Sequence, residues 1–236
     1  FGQKVSNRNN IHLTFESKDI ELVSSFNYLG VFFSSNGNFK NQRTHVCNQA
    51  TKAMFALLKK NKCLHIPVDL QLELFDRMIV PVLLYACEIW GYEHLGIIER
   101  LPLKYLKYIL YLKLSTNSCM VYGETGRFPL DVLIKTRIVS FWAKLIVNET
   151  DKLSCTLYRA LLFSKQYNGY ESSWIKMVRQ TLESCGMNNI WQSQSFPTVK
   201  WLTASVNLRL KDHYRQEWSS IVNNSEKCIM YRTFKT

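Results

Sequence analysis

The residues predict a mainly α protein with a small antiparallel β element at its N-terminus. Three observations carry that reading. Apolar and polar positions alternate only near the start, at Ile11-His-Leu-Thr-Phe15 and Ile20-Glu-Leu-Val23, followed by a compact aromatic run from Tyr28 to Phe33. The turn-forming Ser34-Ser-Asn-Gly-Asn38 then closes that region. Beyond it, apolar residues recur with a helical period.

The elements follow in order. Two or three short strands are expected before residue 34, feeding a first helix from about Gln42 to Lys62. Val46, Ala50, Ala53, Met54, Leu57 and Leu58 form its buried stripe, while His45, Gln49, Lys52 and Lys59 share the outer side. A second helix begins after Pro67, with Asp69 favourable in its first turn, and extends to about Trp90. It is apolar on two sides, which predicts a central position, and Pro81 predicts a kink. A third helix, about Leu95 to Lys113, turns Ile98, Leu101, Tyr105, Tyr108 and Leu112 inward and carries Arg100, Lys104 and Lys107 as a second basic stripe. After the turn Ser115-Thr-Asn-Ser118, helices are expected near 118–124, 129–149, 153–165, 171–185 and 198–222, with loops at Gly126, Gly169, Gly186 and Pro197. This divides the chain into a β element over 1–40, a helical domain over 41–114 and a second helical domain over 115–236.

Charge narrows the function. The 236 residues carry a formal net charge of +12, which favours anionic partners. The excess is local: no acidic residue falls between Glu21 and Asp69, a stretch that holds Lys40, Arg43, Lys52, Lys59, Lys60 and Lys62. Lysines on a helix face are commonly no more than solvated charges. Here there is no acid with which to interleave them, so phosphate contact becomes the competing reading. A β-hairpin feeding such a helix suits a polyphosphate backbone.

Other chemistry finds little support. The seven cysteines form no CxxC pair, arguing against a disulfide framework or a zinc site and for a reducing, intracellular compartment, nucleus or cytoplasm unresolved. No apolar run approaches the roughly 20 residues of a membrane span, and no signal peptide is visible. No membrane and no small-molecule substrate are therefore expected as partners. Asp69, Glu73 and Asp76 recur at helical spacing but sit where acids favour the helix dipole. Glu88, amid apolar neighbours, reads as a structural acid paired with an arginine. Trp142, Trp174, Trp191, Trp201 and Trp218 lie on amphipathic helices and read as core rather than as base-stacking platforms. Nothing supplies a nucleophile beside a base, a phosphate-cradling glycine loop or adjacent aspartates. The first residue, Phe1, enters mid-pattern, so the chain is expected to be a piece of something longer.

Four blocks, in order and spacing, resemble the C-terminal part of a non-LTR (LINE-type) retrotransposon reverse transcriptase. They are Phe26-Asn-Tyr-Leu-Gly-Val31, Pro81-Val-Leu-Leu-Tyr-Ala-Cys-Glu-Ile-Trp-Gly91, Leu106-Lys-Tyr-Ile-Leu-Tyr-Leu-Lys-Leu-Ser-Thr116 and Tyr122-Gly-Glu-Thr-Gly-Arg-Phe-Pro-Leu130. The resemblance implies a palm-edge strand at the primer grip, with Phe26, Tyr28, Leu29 and Gly30 near a primer terminus. It implies a thumb over 41–114 gripping an RNA/DNA template–primer duplex through His45, Gln49, Lys52, Lys59, Lys60, Lys62, Arg100, Lys104 and Lys107. The family's paired catalytic aspartates, with the Mg2+ they hold, would lie in an upstream palm, and no Asp-Asp pair occurs in these residues. The implied partners are that palm and the fingers; the chain alone is expected to bind without catalysing. The alternative is a domesticated or decayed remnant serving as a helical protein-interaction module.

Overall fold

The computed structural model describes residues 14–93, 95–147, 152–169 and 171–235. Its β element is two separate antiparallel ribbons. β1 (Thr14–Phe15) pairs β2 (Lys18–Asp19), and β3 (Ser25–Tyr28) pairs β4 (Val31–Ser34) with Phe26 opposite Phe33 and Tyr28 opposite Val31. Positions 11–13 of the first expected strand lie outside the described residues. Ile20–Val23 is not a strand: its residues are exposed and pair with no strand among the described residues, and alternation without a pairing partner does not make a strand. The Tyr28–Phe33 run is interrupted. Leu29 (φ 49°) and Gly30 (φ 79°) form a two-residue turn with both φ positive, the handedness that matches the twist of a hairpin.

α1 (Lys40–Leu64) buries Val46, Ala50, Met54, Leu57 and Leu58 as expected. It also buries Gln42, whose Oε1 accepts a 3.0 Å hydrogen bond from the Phe32 N–H and so ties β4 to the helix. His65 ends it in the left-handed region, with Lys62 beside the last carbonyls, where the dipole favours a cation.

The expected long second helix is instead three pieces: α2 (Val68–Met78), α3 (Val80–Leu83) and α4 (Cys87–Trp90). Of the two breaks, the first, at Ile79, falls just before Pro81, which has no N–H to offer the Arg77 carbonyl, as the expected kink requires. Beyond it, Leu83 N–H donates to Ile79 (3.0 Å) and Leu84 N–H to Val80 (2.9 Å), so the helical turn resumes at once. The chain turns at Ala86 (φ 53°), and side chains satisfy the carbonyls released there. Trp90 Nε1 donates to Tyr85 O at 2.8 Å and Arg137 to Leu84 O at 3.3 Å. This segment buries Phe75, Ile79, Val80, Leu83, Leu84, Cys87 and Trp90, and of the second expected face Leu74 and Val82 pack partly buried on the same core while Met78 is exposed.

α5 (Gly96–Ile109) stops short of Lys113. Tyr111 takes φ 54°, its N–H donates to Tyr108, and the Leu112 N–H donates to Lys107 O at 2.8 Å. That is a Schellman stop with tyrosine in the position glycine normally fills. Tyr108 and Leu112, expected inside, are exposed. α6 (Ser118–Thr125), α7 (Leu130–Val147), α8 (Leu153–Asn168), α9 (Ser173–Ser184) and α11 (Val199–Asn224) match the five expected C-terminal helices. Asn117, Ser172 and Thr198 cap α6, α9 and α11 through their side chains. Two short helices have no counterpart among the expected elements, α10 (Asn188–Ser193) and, after a 3-10 turn at Glu226–Cys228, α12 (Ile229–Lys235).

One contiguous core runs from Val46 on α1 to Leu210 on α11, crossing residue 115. Its centre is α7, which buries Val132, Ile134, Thr136, Ile138, Val139, Trp142 and Ala143 on more than one side and packs along α11, α4 and α9. No helix among the described residues is long and apolar enough to cross a membrane.

Candidate nucleic-acid interface

α1 and α5 lie side by side and run the same way. Cys47 Sγ meets Ile97 O near their starts (3.9 Å), Lys104 meets Phe55 midway, and Asn61 Nδ2 donates to Tyr105 Oη (3.3 Å) near their ends. This pairing brings together the two basic stripes that the sequence placed on separate helices. Lys52 and Lys59 flank Phe55 at i−3 and i+4 on α1. Lys104 Nζ reaches across from α5 to 5.0 Å from the Phe55 ring centroid, and Arg100 lies one turn before Lys104 on the same helix. Gln49, Lys52, Lys59, Lys60, Lys62, Arg100 and Lys104 are all exposed. Among the described residues, the ion pairs form elsewhere, as at Arg43–Glu93, Arg77–Glu73 and Lys135–Asp131, and none involves these lysines or Arg100.

The one acid on α5 is turned away from this face. Glu99 accepts the Tyr122 hydroxyl and, at 2.8 Å, the Leu130 N–H, and burial pushes its carboxyl above the usual range. A face made of α1 and α5 therefore presents cations with no carboxylate among them.

Lys107 does not belong to the outer stripe. It is buried, and its Nζ donates to Leu114 O at 2.8 Å, holding the loop after α5. The physical reason is the early Schellman stop, which folds residues 110–114 back over that side of the helix. His45 is half-buried, its ring 4.9 Å from that of Phe32 on β4. It thereby joins the hairpin to the N-terminal end of the Lys52/Lys59 side. From His45 to Lys59 this side runs about 21 Å, the length of roughly six base-pair steps.

The hairpin presents its aromatics outward. Phe26 and Tyr28 are each 58% exposed and Leu29 is 74% exposed. Its turn is held by a residue far away in sequence: Tyr85 Oη donates to Leu29 O at 2.8 Å, and a Cβ on Gly30 would lie 3.3 Å from the Tyr85 ring. Gly30→Ala is expected to loosen the hairpin by about 1–2 kcal/mol, because φ 79° is costly for any residue with a Cβ. Faster amide exchange at Val31 and Phe32, with α1 unchanged, is the measurement; unchanged exchange at both would show that the turn tolerates a Cβ.

Sequence reasoning missed Phe55 and Tyr85. Phe55 had a signal, an aromatic interrupting an otherwise polar helix side. Tyr85 had none, since nothing local links it to a turn 56 residues earlier. Of the acids set aside as non-catalytic, Glu73 pairs with Arg77 at 2.7 Å, and Asp76 takes both ends of the Arg127 guanidinium, which also donates to Leu72 O. No protein-family model, no curated protein and no solved structure matches the chain.

Proposed function

We propose that this chain holds the sugar–phosphate backbone of nucleic acid on the joint face of α1 and α5, in the manner of the thumb of a non-LTR reverse transcriptase, and performs no nucleotidyl transfer by itself. The observation that supports the reading is the acid-free cationic face, in which Lys52, Lys59 and Lys104 flank Phe55, Arg100 lies one turn along α5, and the aromatic hairpin continues one end. Such a face exchanges condensed counterions for lysine–phosphate pairing, so affinity falls linearly with salt on logarithmic axes.

The test is binding of a labelled RNA–DNA primer duplex across a salt series by the wild-type chain and the Lys52→Ala/Lys59→Ala variant. The wild type is expected to show a steep salt dependence, and the variant a slope shallower by about 2, one for each lysine withdrawn from a phosphate. A folded chain that fails to bind at low salt defeats the proposal. The second reading, a helical interaction module, has one observation in its favour: α8 leaves Leu153, Leu157, Phe163 and Tyr167 exposed. Concentration-dependent dimers in sedimentation, without nucleic-acid affinity, decide for it.

A further inference from the structure

The chain spacing of the seven cysteines pairs none of them, yet the fold brings two together. Cys119 on α6 and Cys228 in the 3-10 turn, 109 residues apart, place their Sγ atoms 3.4 Å from each other. Cys119 is 7% exposed and Cys228 fully buried. With Val222 they form a small cluster separate from the main core, walled by Met120, Trp218 and Tyr231. Trp218 Nε1 donates to Cys119 O at 2.7 Å, which fixes the backbone of that cysteine against α11. The segment Glu226–Lys235 is attached to the body through α11 and this cluster. Of the other thiols, Cys63 is exposed and Cys47 half-buried, while Cys87, Cys155 and Cys185 are buried elsewhere.

We propose that Cys119 and Cys228 are a disulfide-forming modification site whose co-substrate is a low-molecular-weight disulfide of the glutathione class. The sulfurs need to close from 3.4 Å to a bond of about 2.0 Å, a shift of well under 1 Å by each. Cys119, the more accessible, attacks one sulfur of glutathione disulfide as the thiolate; the S–S bond breaks and one glutathione thiolate leaves. Cys228 then gives up its proton and attacks Cys119 Sγ, expelling the second glutathione. In sum two protein thiols lose two electrons and two protons, and glutathione disulfide becomes two glutathione thiols. Burial pushes the Cys119 thiol up to about 11, with Cys228 beside it adding to the rise, so the first attack is slow near neutral pH and accelerates as pH rises. The bond staples the C-terminal segment, which otherwise rests on a few side chains, to α6.

The experiment incubates the intact chain with glutathione disulfide at mildly alkaline pH, quenches with acid, alkylates and maps peptides by mass. The expected product links the Cys119 and Cys228 peptides, while exposed Cys63 carries glutathione as an internal control for reagent access. Tryptic cleavage after exposed Lys227 is expected to slow by about tenfold in the oxidised form, a tenfold smaller open population. Cys228→Ser removes the resolving thiol and is expected to trap Cys119 as a lasting mixed disulfide. Recovery of Cys119 and Cys228 as free thiols from a chain of native far-UV dichroism, with Cys63 modified, overturns the proposal. That outcome needs no variant to fold.

Discussion

Truncating Trp142 to alanine is expected to cost about 3–5 kcal/mol of folding free energy, a large share of the roughly 5–15 kcal/mol that holds a domain together. Trp142 is fully buried at the centre of α7. Its ring stacks 5.8 Å from Trp191 and lies 6.0 Å from Phe196, so its removal opens a cavity among three segments of the chain. Its Nε1 donates to Tyr158 Oη at 2.8 Å, and that hydroxyl donates in turn to Gln194 Oε1 at 2.6 Å, which joins α7, α8 and the end of α10. Burial pushes the Tyr158 phenol up to about 12, as expected for a hydroxyl inside the protein. The comparison is Trp201→Ala, a tryptophan that is 45% exposed, where a change within about 0.5 kcal/mol is expected. Urea midpoints measure both. Equal costs at the two sites would refute the claim that α7 is the centre of the core.

Glu99 gives the second large effect, and its sign depends on the substitution. Its two oxygens take the Tyr122 hydroxyl and the Leu130 N–H, which holds the start of α7 to α5. Glu99→Ala leaves both donors buried without acceptors and is expected to cost about 2–4 kcal/mol. Glu99→Gln keeps both bonds, with the amide oxygen accepting from Leu130 and the Tyr122 hydroxyl rotating to accept from the amide nitrogen. It is expected to be at least as stable as the wild type at neutral pH, because it buries no charge. The pH dependence follows from the raised carboxyl. Above the usual value of 4.5 the unfolded chain has released this proton and the folded chain still holds it. The folded state therefore binds more protons in that window, and stability falls as pH rises from 4.5 through the raised value. Urea midpoints taken from about pH 4 to pH 7 should decline through this contribution in the wild type and flatten in Glu99→Gln. An identical decline in the two proteins would assign the slope to other groups.

Much of this was legible in the chain. The ribbon-then-helices architecture, the apolar stripe of α1 and the five longer C-terminal helices follow from local periodicity and from turn residues such as Asn117 and Gly126, whose effects reach only a few positions. The break at Ala86 and the early end of α5 were not legible. The first depends on Arg137 and Trp90 satisfying carbonyls that a continuous helix would have used; the second places a tyrosine where sequence reading looks for glycine.

The candidate site divides the same way. That α1 carries Lys52, Lys59, Lys60 and Lys62 with no acid nearby is a property of the sequence alone, because a helix face needs only spacing to define it. The tertiary structure decided which cations share a surface. Packing α1 against α5 set Lys104 over Phe55, turned Glu99 into the interior and drew Lys107 under its own loop. It likewise put Tyr85 under the hairpin turn and Cys119 against Cys228. These are contacts between residues far apart in the chain. They are settled by how apolar faces close on one another, and no local pattern in a single sequence encodes that.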